Sequence, residues 1–307
     1  MACRIILSSP PICAPGDAIK GTIICIFEKE EKIRGIKCRF RGQEHVEWTV
    51  GSGRHKQYIN KIRNFIKADT EFVDKGTMMP GRYEYNFEYI LPPSDIPSSF
   101  DHEFGSIRYF LYAFVDRPWA FDYEHEVEVQ VIAPILHPPN QTRPIPVEVN
   151  NKSRLCCWPS KPSTMEIQLE KNHYALGEPI NFRVLINNMS SSAISNVLVQ
   201  LSRKMKFSDT RRNHKKEKVI LAQTGRTGVQ PGCSQLYTFS LAVPQTTVIP
   251  NFTGCLLFKE WCSLKVEAVY PSFRCNMVAR ESVNVGNTIP TQDGFQINTF
   301  QYNVRQH

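Results

Sequence analysis

Hydrophobic and polar residues alternate with a period of two along much of this 307-residue chain. The runs are Ile36-Lys37-Cys38-Arg39-Phe40-Arg41, Val127-Glu128-Val129-Gln130-Val131, Met165-Glu166-Ile167-Gln168-Leu169-Glu170 and Leu264-Lys265-Val266-Glu267-Ala268. Between 98 and 119, Ile107, Tyr109, Leu111, Ala113 and Val115 share one side, while Ser106, Arg108, Phe110, Tyr112 and Phe114 share the other. Such alternation predicts strands with one face on a core, because successive side chains point to opposite sides of a pleated ribbon. The aromatic residues on the second side of 106–115 predict partial cover there as well. No stretch repeats with a helical period over a comparable length. With 21 prolines and 16 glycines as punctuation, the pattern predicts an all-β chain of immunoglobulin-like sandwiches.

Seven prolines crowd 134–162, after which a fresh alternating strand starts at Met165. The expected organisation is a first sandwich over 1–150, a linker over 151–163, a second sandwich over 164–287 and a short tail over 288–307. The halves echo each other. Ala14-x-Gly16-Asp17-x-Ile19 recurs 161 residues later as Ala175-x-Gly177-Glu178-x-Ile180. The same shift carries Ile33, Ile36, Cys38 and Phe40 onto Ile194, Val197, Val199 and Leu201. Tyr85-x-Phe87 and Pro92 recur as Tyr237-x-Phe239 and Pro244. A duplicated sandwich explains this order. The glycine of each unit suits a turn needing positive φ, and its acidic neighbour can bond the local backbone.

Composition narrows the function. The segment MACRIILSSPPICAPGD has an aliphatic run of three residues, too short for a secretory signal, and no later run approaches a membrane span, so an intracellular chain is expected. Asn-x-Ser/Thr at Asn140, Asn151, Asn188 and Asn251 is read as chance. Ten cysteines without paired C-x-x-C knuckles read as reduced and mostly buried; for Cys156-Cys157, S-acylation or a metal is the alternative. A net charge of +8 favours anionic partners, although a basic surface alone accounts for it equally well. No cofactor is expected. No Walker loop or G-x-S-x-G is present, and His125 sits among glutamates that read as a wet strand face, so an enzyme is not expected. Zinc spacing, RNP-like aromatics and a recognition-helix pattern are missing too, which argues against nucleic acid.

An ordered series of short motifs resembles the α-arrestins, or arrestin-domain-containing proteins. It comprises Ala14-Pro15-Gly16-Asp17, Pro80-Gly81-Arg82-Tyr83, Leu91-Pro92-Pro93, Gly105-Ser106-Ile107-Arg108-Tyr109, Asp116-Arg117-Pro118-Trp119 and Cys156-Cys157-Trp158. The resemblance implies two tandem arrestin-like sandwiches. It also implies a cytoplasmic or endosomal adaptor that links membrane-protein cargo to ubiquitin ligases, endocytosis and endosomal sorting. Gly16, Asp17, Pro80, Gly81, Pro92, Gly105, Tyr109, Asp116, Arg117, Pro118 and Trp119 then form a structural signature. Pro118 would close a strand, Trp119 cover an open sandwich edge and Arg117 pair with a carboxylate. Family adaptors commonly recruit WW domains through PPxY. Here Pro-Pro at 10–11, 92–93 and 138–139 is never followed by x-Tyr, so ligase recruitment by that route is in doubt.

Candidate binding residues come from charge. The segment 203–218 holds eight Lys/Arg, including Arg203, Lys204, Lys206, Arg211, Arg212, Lys215 and Lys216, at an expected hairpin. Arg54 and Lys56 fall at the equivalent hairpin of the first half, and Lys37, Arg39 and Arg41 on the outward side of a strand. An acidic phospholipid surface, peripherally at the plasma membrane or endosomes, or a phosphorylated cargo tail would suit them; a solvated face is the plain alternative. Three functions stay open: a ligase-recruiting trafficking adaptor, a ligase-independent cargo- or membrane-binding scaffold, and a retromer-like sorting subunit.

Overall fold

The computed structural model describes residues 2–135, 147–151, 163–210, 212–245, 249–271, 275–286, 288–291 and 294–297. Strands dominate, with a single 3-10 turn at Gly53–His55 and no α-helix among the described residues. The chain divides into two compact units. The first is Met1–Ala133 with Lys206–Lys215 and Pro250–Lys259; the second is Pro134–Met205, Lys216–Ile249 and Glu260–His307.

The first half of the chain runs β1 (Ala2–Leu7), β2 (Ile12–Cys13), β3 (Ala18–Phe27), β4 (Glu31–Ile33), β5 (Gly35–Val50), β6 (Gln57–Val73), β7 (Gly76–Met78), β8 (Gly81–Ile90), β9 (Phe100–His102), β10 (Gly105–Asp116) and β11 (Tyr123–Val131). One sheet has the order β1-β3-β8 and the other β2-β11-β10-β5-β6, with β9 on β10. Strands β4 and β7 form a small separate ladder. The second half runs β12 (Val147–Asn151), β13 (Ser163–Leu169), β14 (His173–Ala175), β15 (Pro179–Asn188), β16 (Asn196–Ser208), β17 (His214–Thr227), β18 (Cys233–Ala242), β19 (Phe258–Val269), β20 (Met277–Gly286), β21 (Thr288–Thr291) and β22 (Gly294–Ile297). Its sheets are β12-β13-β15-β18 and β14-β20-β19-β16-β17.

The duplication is therefore one of topology as well as spacing. Order β2-β11-β10-β5-β6 matches β14-β20-β19-β16-β17, and in each the short outer strand pairs parallel to its neighbour. The A-x-G-[DE] units are equivalent turns. Gly16 and Gly177 have φ of 88° and 81°, a region costly for residues with a Cβ. The acids close the turns: Asp17 accepts from the Ala14 N–H at 2.7 Å and Glu178 from the Ala175 N–H at 2.9 Å. Gly16 N–H donates in turn to the Pro92 carbonyl at 3.2 Å.

Parity decides what is buried. Ile36, Cys38 and Phe40 on β5 and Val197, Val199 and Leu201 on β16 are at most 1% exposed. Ile107, Tyr109, Leu111, Ala113 and Val115 on β10 are buried too. Each large side chain so removed from water contributes roughly 1.5–3 kcal/mol. Phe40 stacks on Tyr89 of the opposite sheet with centroids 5.5 Å apart, and the Tyr89 hydroxyl donates to the Cys38 carbonyl at 3.0 Å. Tyr109 anchors the chain before β9, donating to the Pro97 carbonyl at 2.6 Å. Gly105 is required by close approach, since a Cβ there would lie 2.2 Å from the His45 carbonyl oxygen.

Some expectations need correction. Val147–Asn151 pairs with β13, so residues 147–150 belong to a sheet of the second half rather than to the first sandwich. The proline run hid a short alternating Val147-x-Val149. The expected tail from 288 contains the β21–β22 ladder. His125 is half-buried opposite the glutamates and accepts the Ile5 N–H at 3.2 Å. Asn188 and Asn251 are buried, which closes them to glycosylation. Cys3, Cys13, Cys25, Cys38 and Cys262 are buried free thiols. Cys156 and Cys157 lie outside the described residues.

Candidate anion-binding surface

On β16 the odd positions from Val197 to Phe207 face inward, which leaves Lys204 and Lys206 on the outer side. On β17 the even positions are the exposed ones, bringing out Lys216 and Lys218. Strand β20 lies beyond β19 and adds Arg280, opposite Lys265 in the β19–β20 register. In the second unit Lys204, Lys216, Lys218 and Arg280 thus crowd one sheet face. Burial, then the charges of Arg280, Lys218 and Lys216, pull the Lys204 ammonium below its ordinary pKa. A carboxylate on this face, Glu267, is engaged by Lys265 and by the Asn276 amide, which hold its pKa low. A cluster of cations that destabilise one another is a site where an anion gains energy by entering.

The run from 203 to 218 does not act as one patch. Arg203 shares the inward parity of Val199 and Leu201 and acts on the half-buried Glu260, so it is not a surface cation. Lys215 lies on the inward side of β17, its ammonium 5.6 Å above the Phe104 ring in the first unit. Arg212 is exposed at the turn, and Arg211 lies outside the described residues. Arg54 and Lys56 are exposed at the β5–β6 turn. The β5 cations are partnered: Lys37 with Glu71 at 3.0 Å, Arg41 with Asp69 at 2.5 Å, and Arg39 over the Phe114 ring at 4.6 Å. Arg280 was missed by the charge-run reading because it stands far along the chain; the outward parity of Val278, Arg280 and Ser282 was the available signal.

At the inward end of β19, Glu260 and Cys262 line a cleft of about 250 Å³ with Ile135, His173 and Val285. Burial pushes the Glu260 carboxyl up to about 7, against the opposing pull of Cys262 and Arg203. Among the described residues no His/Cys/Asp/Glu cluster could hold a metal ion.

Two arrangements brace the first unit. Strand β10 ends at Asp116, which pairs with Arg34 at 2.6 Å, and Arg117 pairs with the largely buried Glu31 at 2.5 Å. The expected carboxylate partner of Arg117 is therefore Glu31. Trp119 covers no edge: it is fully exposed, because its backbone turns outward with φ of 63°. Elsewhere in the unit Glu44 is completely buried. Its carboxylate accepts from the N–H groups of Leu256 at 3.1 Å and Leu257 at 2.9 Å and from Arg63 at 2.5 Å. Arg63 also donates to the Gly254 carbonyl at 3.1 Å. Phe207, Phe252 and Phe258 close around Phe100, His102 and Phe104 in the same unit, with Phe207 and His102 centroids 4.7 Å apart.

The sequence matches the model of the arrestin (or S-antigen) N-terminal domain over residues 3–137 and that of the C-terminal domain over 159–290. The chain belongs to the α-arrestin family. Relatives include arrestin domain-containing protein 17 of Caenorhabditis elegans, 26% identical across 82% of this chain and 63% of that protein. Arrestin domain-containing protein 4 of Mus musculus is 24% identical across 58% of this chain and 46% of its own length. Thioredoxin-interacting protein of Sus scrofa is 23% identical across 58% of this chain and 48% of that protein. The chain thus spans about half to two thirds of the length of these relatives. The family is one of arrestin-like adaptors, and both arrestin domains are present here. Among the described residues no helix is long and apolar enough to cross a membrane.

Proposed function

We propose that this α-arrestin is a non-enzymatic trafficking adaptor that works peripherally on an acidic membrane leaflet, at the plasma membrane or endosomes. There it links membrane-protein cargo to ubiquitination, endocytosis and endosomal sorting. The supporting observation is the crowded outer face of Lys204, Lys216, Lys218 and Arg280, whose mutual repulsion is relieved by phosphate-bearing headgroups. Each cation held near an anionic leaflet contributes about 1 kcal/mol, so four give useful but reversible attachment. Any ligase recruitment by these 307 residues themselves would use a surface other than PPxY, which they lack.

The test is co-sedimentation with vesicles of phosphatidylcholine containing phosphatidylserine. The variant Lys204→Ala/Lys218→Ala/Arg280→Ala should lose most of the lipid-dependent sedimentation, and added salt should weaken the wild type. Equal sedimentation of both proteins at low and moderate salt would overturn the assignment. Capture of a phosphorylated cargo peptide by this face, without vesicle binding, would move the anion from lipid to cargo.

A further inference from the structure

The turn between β10 and β11 presents two aromatic side chains wholly to solvent: Trp119 is 103% and Phe121 93% exposed. Solitary exposed apolar residues are ordinary, but two large aromatics at i and i+2 on one tip are not. The backbone beneath them is firmly held. Arg117 N–H donates to the Asp122 carboxylate at 3.0 Å, and Arg117 Nε to the Phe121 carbonyl at 2.8 Å. The Arg117 guanidinium lies 3.8 Å over the Tyr123 ring while pairing with Glu31. Arg34 Nη2 donates to the Arg117 carbonyl at 3.1 Å. Trp119 takes the left-handed region, φ 63°, which costs a bulky side chain about 1–2 kcal/mol. Strain retained in a braced turn points to use.

The electrostatics of the turn match its shape. Pro118-Trp119-Ala120-Phe121 carries no charge. The ionic groups at its base are engaged: Asp116 by Arg34, Arg117 by Glu31 and Asp122 by a backbone N–H. Moving the tip into a medium of low dielectric therefore strands no unpaired charge from this base. Two aromatic side chains bury about 150–250 Å² each, well below the roughly 800 Å² that each partner of a stable protein complex contributes. An area of that size instead suits the interfacial zone of a bilayer, where tryptophan concentrates because its ring is apolar and its N–H can reach headgroup oxygens.

We infer that the β10–β11 turn inserts Trp119 and Phe121 into the interfacial region of a lipid bilayer. This contact is apolar and independent of the cationic face, so it operates on neutral lipid and resists salt.

Sedimentation with vesicles of phosphatidylcholine alone, and with the same lipid brominated, tests it on the full chain. Wild type should partition at moderate salt and lose part of its tryptophan emission to bromine. Trp119→Phe should keep most of the partitioning and lose that quenching. Trp119→Ala/Phe121→Ala should lower the partition coefficient by about tenfold or more. The Lys204→Ala/Lys218→Ala/Arg280→Ala variant should behave as wild type on this neutral lipid, which separates the turn from the proposed anionic contact. Failure of the wild type to partition, equal partitioning by the double alanine variant, or equal quenching of wild type and Trp119→Phe would overturn the inference. So would loss of a protein partner on double substitution with vesicle partitioning unchanged.

Discussion

Replacing Glu44 with alanine should destabilise the first unit more than any surface substitution. The side chain is 0% exposed and accepts from two backbone N–H groups and from Arg63. Breaking a buried ion pair by removing one partner costs about 3–5 kcal/mol. The Arg63 side chain is 31% exposed and can regain water, which places the loss near the lower figure. The N–H groups of Leu256 and Leu257 lose their acceptor, and each buried donor left unsatisfied costs about 1–3 kcal/mol, a cost contained within the same total. A loss of about 3 kcal/mol in a unit of this size lowers the melting temperature by roughly 6–12 °C. Thermal unfolding reads the total, and amide hydrogen exchange at Leu256 and Leu257 reads the local release. Arg63→Met added to Glu44→Ala should cost little more than Glu44→Ala alone, because the pair is already broken. A single variant within about 0.5 kcal/mol of wild type, with exchange at Leu256 and Leu257 unchanged, would refute the reasoning.

Two further outcomes follow from the same structure. Glu260, pushed up to about 7 from 4.5, binds its proton more tightly folded than unfolded. Its contribution is therefore fully present below pH ~4.5 and is lost as pH rises through about 7; Glu260→Gln should flatten that decline by up to roughly 3 kcal/mol in pH-dependent urea unfolding, and an unchanged profile would contradict it. In a pull-down with isolated WW domains of HECT ligases this chain should show no useful affinity, since the proline-tyrosine element is missing; binding abolished by mutating Tyr270 or Tyr302 would show otherwise.

Strand identity and facing were legible because period-two alternation is local. Ile36-x-Cys38-x-Phe40 and Val197-x-Val199-x-Leu201 face inward as their parity requires. The equivalent turns at Gly16 and Gly177 were legible for the same reason, since four consecutive residues build each one. Arg203 could have been placed inward by continuing that parity, but its neighbours in the charge run suggested a surface. Glu44 shares the inward parity of Phe40; its partners Leu256 and Leu257 stand more than two hundred residues on, so no local pattern pairs them. Arg280 joins Lys204 only through the order β20-β19-β16, which sequence spacing does not reveal. Trp119 reads as cover for an edge until its positive φ turns it outward.

The most direct measurement of the central claim is titration of the Lys204 ε-amino group by NMR, with and without short-chain phosphatidylserine. The free protein should show a pKa below that of an ordinary lysine, as burial and its three neighbouring cations require. Anionic headgroups entering the face stabilise the charged form, so the pKa should rise on adding the lipid, and the rise should fade with salt. A Lys204 pKa that stays where it was, while the lipid binds elsewhere or not at all, would contradict an anion-reading face on the second unit.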